Sequence, residues 1–562
     1  MIAALAPRRV ATLLLILVAT PAFAQLPAAG VTAANPLAVQ AGIDVLRAGG
    51  SAVDAAVAVQ AMLGLVEPQS SGLGGGAFLM HFEAATRTIT MFDGREVAPA
   101  AATPKMLLDA RGEPLSIGEA VTGGLATGVP GVIPMLGVVH ARFGRLPWGR
   151  LFGSAISSAH SGFVVPPRLG GFANGPSIQA QQPDVKALFS RPDGTPARPG
   201  DVLRNRAYAA TLRLLAARGS RALHRGAVAR AIVARTRAAP RPGSMTLSDL
   251  AGYRPVQRTP LCRPYRGYTV CVPPPPSSGA SVLQLLGILG HTDIADRGPG
   301  DPQAWYLFAE ASRVMYADRD RYIADPAYAP VPLEGLLAPA YIASRAKLIG
   351  ERAGPAPPAG RPPGSAAGAD ATPEAAGTSH FVVVDTRGNV VSMTSTIESL
   401  FGSGRAVGGF LLNNQMTDFS FLPTVGGTAA ANAVEGGKRP RSSMLPVIIL
   451  DAHGRFFAAL GSPGGSAILA YTAKTLVALL AWKLPLQQAI DLPNIYARAD
   501  DVFGEAFKLP PAVVGGLGVR GVVVRPGGGE DSGLHGFHVS GPGRLEGAAD
   551  PRRDGTWKRL ER

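Results

Sequence analysis

The chain has 562 residues, 46% of them hydrophobic and 17% charged, so it can bury a large core and is not disordered as a whole. Its formal charge of +15 comes mostly from scattered Arg. It lacks the Lys/Arg runs with interleaved aromatics of a nucleic-acid groove, so no nucleic-acid partner is expected.

Arg8 and Arg9 precede an apolar run from Val10 to Val18, followed by Ala22-Phe23-Ala24. A basic start, a short apolar stretch and an A-x-A site predict a signal peptide over 1–24, cut before Gln25. No later window offers about 20 uninterrupted apolar residues, so no membrane span is expected after signal removal, and a periplasmic or secreted location follows. Residues 36–66 read as two helices. The first runs from Pro36 to Ala48 and ends at Gly49-Gly50, and Ser51 with Asp54 forms a capping box for the second. Strand-like runs follow at 78–82 and 88–92, and the stretch 100–350 reads as mostly helical, with Asp301 capping a helix from Pro302 to Ile323.

The two cysteines, Cys262 and Cys271, bracket RPYRGYTV, where a turn near Arg266-Gly267 would set two short strands side by side. The pair reads either as a disulfide across that hairpin or as two core thiols. Without nearby His or further Cys it makes a poor zinc site.

From Gly354 to Gly377, 19 of 24 residues are Pro, Gly or Ala, which predicts a mobile linker. Immediately after it come HFVVV, DTRGN and VVSMTST. The turn from Asp385 to Asn389 centres on Arg387, and nine residues either way lie Thr378 and Thr396, cross-strand neighbours in a symmetric hairpin. Such a pair is either a sheet contact or a nucleophile with a hydrogen-bonding partner.

Long, ordered motifs carry a resemblance at this point. TSHFVVVDTRGNVVSMTSTIESLFGSG, GFLLNNQMTDFS, KRPRSSMLP and GSPGGSAIL resemble the small subunit of the γ-glutamyltransferase family. GGSAVDAAVA, GLGGGAF, DGREVAPA and YRGYTVCVPPPPSSG match its large subunit in the right order. The resemblance implies an N-terminal-nucleophile (Ntn) hydrolase, an α+β protein whose αββα four-layer sandwich is shared by two subunits cut from one precursor. The cut would fall between Gly377 and Thr378, giving a large subunit over 25–377 and a small one over 378–562 that stay together as a heterodimer.

The same resemblance makes Thr378 the nucleophile, Thr396 its hydrogen-bonding partner, and Gly464 and Gly465 the oxyanion site. The two glycines precede an apolar helical run from Ala467 to Trp482, whose N-terminus favours developing negative charge. Arg95 resembles the arginine that grips a substrate carboxylate, with Ser442 and Ser443 adding donors. Asp418 resembles the acid that holds an α-ammonium, with Gln415 at the other polar position.

Two departures bear on substrate. Glu398 stands where many members carry Asn, and either repels a substrate carboxylate or helps hold the ammonium. FSFLPTVGGTAAANAV is shorter than the lid-bearing stretch of many relatives and has no Tyr, which favours hydrolysis over transpeptidation. The resemblance thus implies a γ-glutamyl hydrolase/transferase acting on amides such as glutathione, with no cofactor and no metal. The alternatives are a related acylase (glutaryl, cephalosporin or small amide) and a non-catalytic exported binding protein of the same fold. A serine hydrolase is disfavoured because the chain has no G-x-S-x-G, and a metal enzyme because it has no H-x-x-x-H around a carboxylate.

Overall fold

The computed structural model describes residues 29–366, 370, 372–374, 377–527 and 531–561; the expected signal peptide lies outside them. Near the N-terminus, strand β1 (Gly30–Ala33) leads into helix α1 (Pro36–Arg47), capped by the Asn35 side chain on the Leu37 N–H. Helix α2 (Ala52–Val66) starts from the expected Ser51/Asp54 capping box and is buried along its whole length. Strands β2 (Gly76–Glu83) and β3 (Thr88–Gly94) follow.

The stretch expected to be mostly helical is so, interrupted by a short strand pair (Phe163–Val164 with Val202–Leu203) and by three further strands: β4 (Val256–Arg258), β5 (Leu261–Tyr265) and β6 (Tyr268–Val272). Cys262 and Cys271 are register partners across β5 and β6 and are joined by a disulfide. Arg266 and Gly267 both take positive φ, the backbone a tight two-residue hairpin turn needs. Helices α3 (Gly279–Gly290) and α4 (Pro302–Tyr322) come next, α4 capped by Asp301 as expected.

After the Pro/Gly/Ala-rich segment run β7 (Thr378–Val384), β8 (Val390–Thr396), β9 (Val447–Leu450) and β10 (Phe456–Gly461). Helix α5 (Ile468–Leu480) and strands β11 (His535–Gly541), β12 (Arg544–Ala549) and β13 (Thr556–Arg559) complete the frame.

Two antiparallel sheets result. One has the order β13-β1-β7-β8-β2-β3-β4, the other β12-β11-β10-β9-β6-β5. Alternation along the strands then explains the layers. Phe381 and Val383 of β7 point to the side where α1 and α2 pack. Val382 and Val384 point the other way, to Ile448, Ala459 and Phe537 of the second sheet. The far face of that sheet, with Val270, Val447 and Leu460, packs against α3, α4 and α5. Helices, sheet, sheet, helices: the fold is an αββα sandwich.

The expected mobile linker is corrected by its described part, which is held against the α4 side. A Pro/Gly/Ala chain has no hydrogen-bond ladder of its own, so its backbone carbonyls take donors from side chains. Arg313 donates to Gly354 O (3.0 Å), Arg345 to Pro358 O (2.8 Å) and Tyr322 to Gly360 O (2.6 Å). Among the described residues no helix is long and apolar enough to cross a membrane.

Candidate active site

Register places the two threonines. Asp385 accepts hydrogen bonds from the backbone N–H groups of Arg387 (2.8 Å) and Asn389 (3.0 Å), which fixes the turn between β7 and β8. With the turn fixed, Thr396 is the Cα partner of Thr378. Thr378 Oγ1 donates to Thr396 Oγ1 at 3.3 Å, and Thr396 Oγ1 donates in turn to the carbonyl oxygen of Gly377 through a short bond. The Glu398 N–H donates to Thr396 Oγ1 at 2.8 Å. Thr396 therefore joins the Thr378 hydroxyl to the carbonyl of the peptide bond just before it.

Gly377 is fixed by space. A Cβ there would lie 2.3 Å from the Glu398 carbonyl oxygen and 2.7 Å from Ser399 C. Backbone cannot yield as a flexible side chain can, so the close approach requires glycine.

The pocket beside Thr378 is lined by Thr396, Arg95, Glu398, Gln415, Asp418, Ser442, Ser443 and Gly465. Arg95 directly follows β3, and its guanidinium donates to Asp418 Oδ2 (2.5 Å) and to the Arg441 carbonyl (2.8 Å). Gln415 Nε2 also donates to Asp418 Oδ2, at 2.6 Å. The groups expected to hold opposite ends of an amino-acid substrate thus hold each other.

Glu398 sits at φ +80°, a strained backbone for a residue with a side chain, and its carboxylate accepts from Ser399 Oγ (2.5 Å) and from Asn414 Nδ2. Burial raises the carboxyl pKa of Glu398, and the nearby Asp418 charge raises it further. Burial likewise raises that of Asp418, against the pull of Arg95. These two acids resist carrying two negative charges together.

Gly464 (φ +133°) and Gly465 (φ +56°) form the turn into a short 3-10 segment, Gly465–Ala467, before α5 begins at Ile468. Gly465 lines the pocket; Gly464 stands one residue behind it. The α-helix thus starts one residue later than expected and ends at Leu480 rather than Trp482. The serines differ from each other. Ser443 Oγ accepts from Arg319 Nη2 at 2.7 Å, whereas Ser442 Oγ accepts from the Met444 N–H at 3.1 Å.

The lining also holds Glu374 and Arg441, which sequence reasoning did not single out, and Arg319 stands directly behind Ser443. Arg441 was legible as a charge inside KRPRSSMLP. Glu374 was hidden in a segment read as a linker, and Arg319 comes from a helix more than fifty residues upstream of it.

An αββα sandwich with a threonine at the head of an inner strand, paired to a second hydroxyl, defines an Ntn hydrolase. The chain belongs to the gamma-glutamyltranspeptidase family, whose model matches residues 38–559. It is 37% identical to the glutathione hydrolase proenzyme of Bacillus subtilis (strain 168), over 84% of this chain and 80% of that protein. It is 36% identical to the acylase ACY 1 proenzyme of Pseudomonas sp. (strain SE83), over 93% of this chain and 92% of that one. The crystal structure of a cephalosporin acylase from Bacillus halodurans superposes with a TM-score of 0.83 at 27% identity, covering 95% of this chain and 96% of the other.

Proposed function

We propose that the chain is a precursor that cuts itself between Gly377 and Thr378 and then hydrolyses γ-glutamyl amides such as glutathione through Thr378. The observation that carries this reading is the hydroxyl relay from Thr378 through Thr396 to the Gly377 carbonyl. In the uncut chain, Thr378 Oγ1 attacks the Gly377 carbonyl carbon while Thr396 donates to the oxygen that becomes negative. The peptide C–N bond breaks, an ester to Thr378 forms and the α-amino group is released. Water then opens the ester and leaves the large subunit over 25–377 and the small one over 378–562.

Before cleavage the Thr378 nitrogen is an amide and cannot act as a base. Afterwards it is an α-amine with a reference pKa of roughly 7.7–8.0, suited to take the hydroxyl proton near neutral pH. The freed threonine attacks the γ-carbonyl of the substrate, the amine leaves with that proton, and water hydrolyses the acyl-enzyme. Gly464 and Gly465 N–H groups at the α5 end receive the oxyanion.

The Arg95–Asp418 pair suits a zwitterion. An α-carboxylate replaces Asp418 on Arg95, assisted by Ser442 and Ser443, while the α-ammonium replaces Arg95 on Asp418, Gln415 and Glu398. The exchange leaves no buried charge unpaired, which keeps its desolvation cost low. The basic, apolar, A-x-A start supports export, with the mature chain beginning at Gln25 and lying in the periplasm or outside the cell.

Denaturing gel electrophoresis with N-terminal sequencing tests the core claim. The smaller fragment is expected to have 185 residues (562 minus 377) and to begin Thr-Ser-His. Thr378→Ala is expected to stay in one piece and to lack activity. A wild-type chain still uncut after prolonged incubation would sink the mechanism.

The likeness to acylases favours a second reading, in which the acyl group lacks the α-ammonium. Turnover of γ-glutamyl-p-nitroanilide against glutaryl-p-nitroanilide separates the two, and equal rates would remove the γ-glutamyl assignment while leaving the nucleophile in place.

A further inference from the structure

Gly464 and Gly465 have no side chains, so their N–H groups are aimed only by what holds the turn around them. That turn lies between the end of β10 at Gly461 and the start of α5 at Ile468. Within it the Ala467 N–H donates to Gly464 O at 3.1 Å, and the Ile468 N–H to Gly465 O. These bonds shape the turn without fixing its place in the molecule. N–H groups at a helix start have no acceptor inside the helix. They are available to a substrate oxygen, and the turn depends on contacts from outside for its position.

Two tyrosines supply such contacts, and both act on Ser466, the residue after Gly465. Tyr316 of α4 donates its hydroxyl to the Ser466 carbonyl oxygen at 2.5 Å. Tyr496, on the strand Ile495–Arg498, meets Ser466 Oγ at 3.1 Å. The two rings pack edge to face, with centroids 5.3 Å apart and planes at 90°. Tyr316 is fully buried, and the Arg319 and Arg498 guanidinium groups lie 5.9 and 5.7 Å from its ring centroid. The ring is confined on these sides, which sets the aim of its hydroxyl. Burial pushes the Tyr316 pKa well above its ordinary value of 10, so the hydroxyl keeps its proton and remains a donor.

The contact from Tyr316 also crosses the proposed cut. Helix α4 precedes Gly377, whereas Ser466 and its turn follow it. A side chain of the large fragment thus steadies a backbone turn of the small one.

We propose that Tyr316, with Tyr496 beside it, is a positioning residue for turnover: the two hydroxyls hold Ser466 so that the Gly464 and Gly465 N–H groups stay aimed at the substrate oxyanion. The inference rests on Thr378 being the nucleophile and on those glycines receiving the oxyanion. It separates two steps that share one nucleophile. In the cut, the oxygen that becomes negative is that of Gly377, and its donor is the Thr396 hydroxyl. In turnover the donors are backbone groups whose place depends on Ser466, and a small displacement weakens them sharply. Loss of the Tyr316 hydroxyl is therefore expected to slow turnover and spare the cut.

Tyr316→Phe keeps the ring and removes only that hydroxyl. With γ-glutamyl-p-nitroanilide as substrate, kcat is expected to fall about tenfold or more. Acylation and deacylation both pass through an oxyanion, so they slow together and KM is expected to hold. On a gel time course the small fragment is expected to appear at the wild-type rate. Tyr496→Phe is expected to give a smaller fall of the same kind. Tyr306→Phe is the control: Tyr306 also lies on α4 and donates to a backbone carbonyl, that of Gly350 (2.8 Å), but stands roughly 15 Å further along the helix. It is expected to keep wild-type kcat.

Unchanged kcat in Tyr316→Phe overturns the proposal. An equal fall in Tyr306→Phe, or a fall that brings slower cutting with it, overturns it as well and assigns Tyr316 to the fold alone. Should Tyr316→Phe not fold, Tyr496→Phe decides by the same readings of kcat, KM and cutting. A wild-type chain that stays uncut, or an active Thr378→Ala variant, removes the Thr378 reading instead. A cut, active wild type beside a fully active Tyr316→Phe removes only the role of the tyrosine.

Discussion

Glu96 lies directly behind Arg95, fully buried, with Oε2 3.8 Å from the guanidinium and neither oxygen hydrogen-bonded in the structure. It is packed so closely that a Cβ on Gly76 would lie 2.2 Å from Oε2. Burial pushes its pKa up to about 8, with the Arg95 charge pulling the other way. The folded protein therefore holds this proton over a range where the unfolded chain, near its ordinary value of 4.5, has released it. The resulting stabilisation is complete below about pH 4.5 and is lost as pH rises towards 8. Glu96→Gln, which stays neutral, is expected to melt higher than wild type by a margin that grows from pH 5 to pH 8. An equal margin at both pH values in thermal melts would contradict a titrating Glu96.

At the scale of elements, the turn of the β7–β8 hairpin sets Thr378 opposite Thr396 in the proposed active site. Asp385 is fully buried and binds Arg387 N and Asn389 N with one oxygen, Ala52 N and the Asn389 side chain with the other. It therefore fixes both the hairpin register and the docking of α2. Asp385→Ala leaves buried donors unpaired, at a cost of about 1–3 kcal/mol. It is also expected to slow the appearance of the small fragment, since a register slip moves Thr396 off the Gly377 carbonyl. A midpoint of denaturation lowered by that amount, together with slower cutting on a gel time course, is the expected pair of results. Unchanged cutting in a destabilised variant would detach the turn from the chemistry.

This hairpin was legible in the sequence because period-two pattern and turn residues are local. The capping box at Ser51 and the strand pair around Cys262 and Cys271 were legible for the same reason. The seating of Pro358 and Gly360 was not: a Pro/Gly/Ala segment carries no periodicity, and the partners Asp318, Tyr322 and Arg345 reach it only after α4 has packed. The Arg95–Asp418 contact escaped as well, because each residue suggested a substrate charge and neither announced the other.

For the whole molecule, the proposed cut falls inside a sheet rather than between domains. In the order β13-β1-β7-β8-β2-β3-β4, strands β1, β2, β3 and β4 precede Gly377, while β7, β8 and β13 follow it. β7 and β8 are thus flanked by β1 and β2, with registers of four and seven residue pairs across those seams. The second sheet is shared in the same way, β6 pairing with β9. Each fragment alone would expose open sheet edges and half of each core, so neither is a stable unit. The matured protein is therefore expected to run as one particle on native size exclusion and as two bands on a denaturing gel. It should melt in a single transition, with the fragments parting only in denaturant. Fragments that separate on a native column would show that the shared sheets do not hold the two chains together.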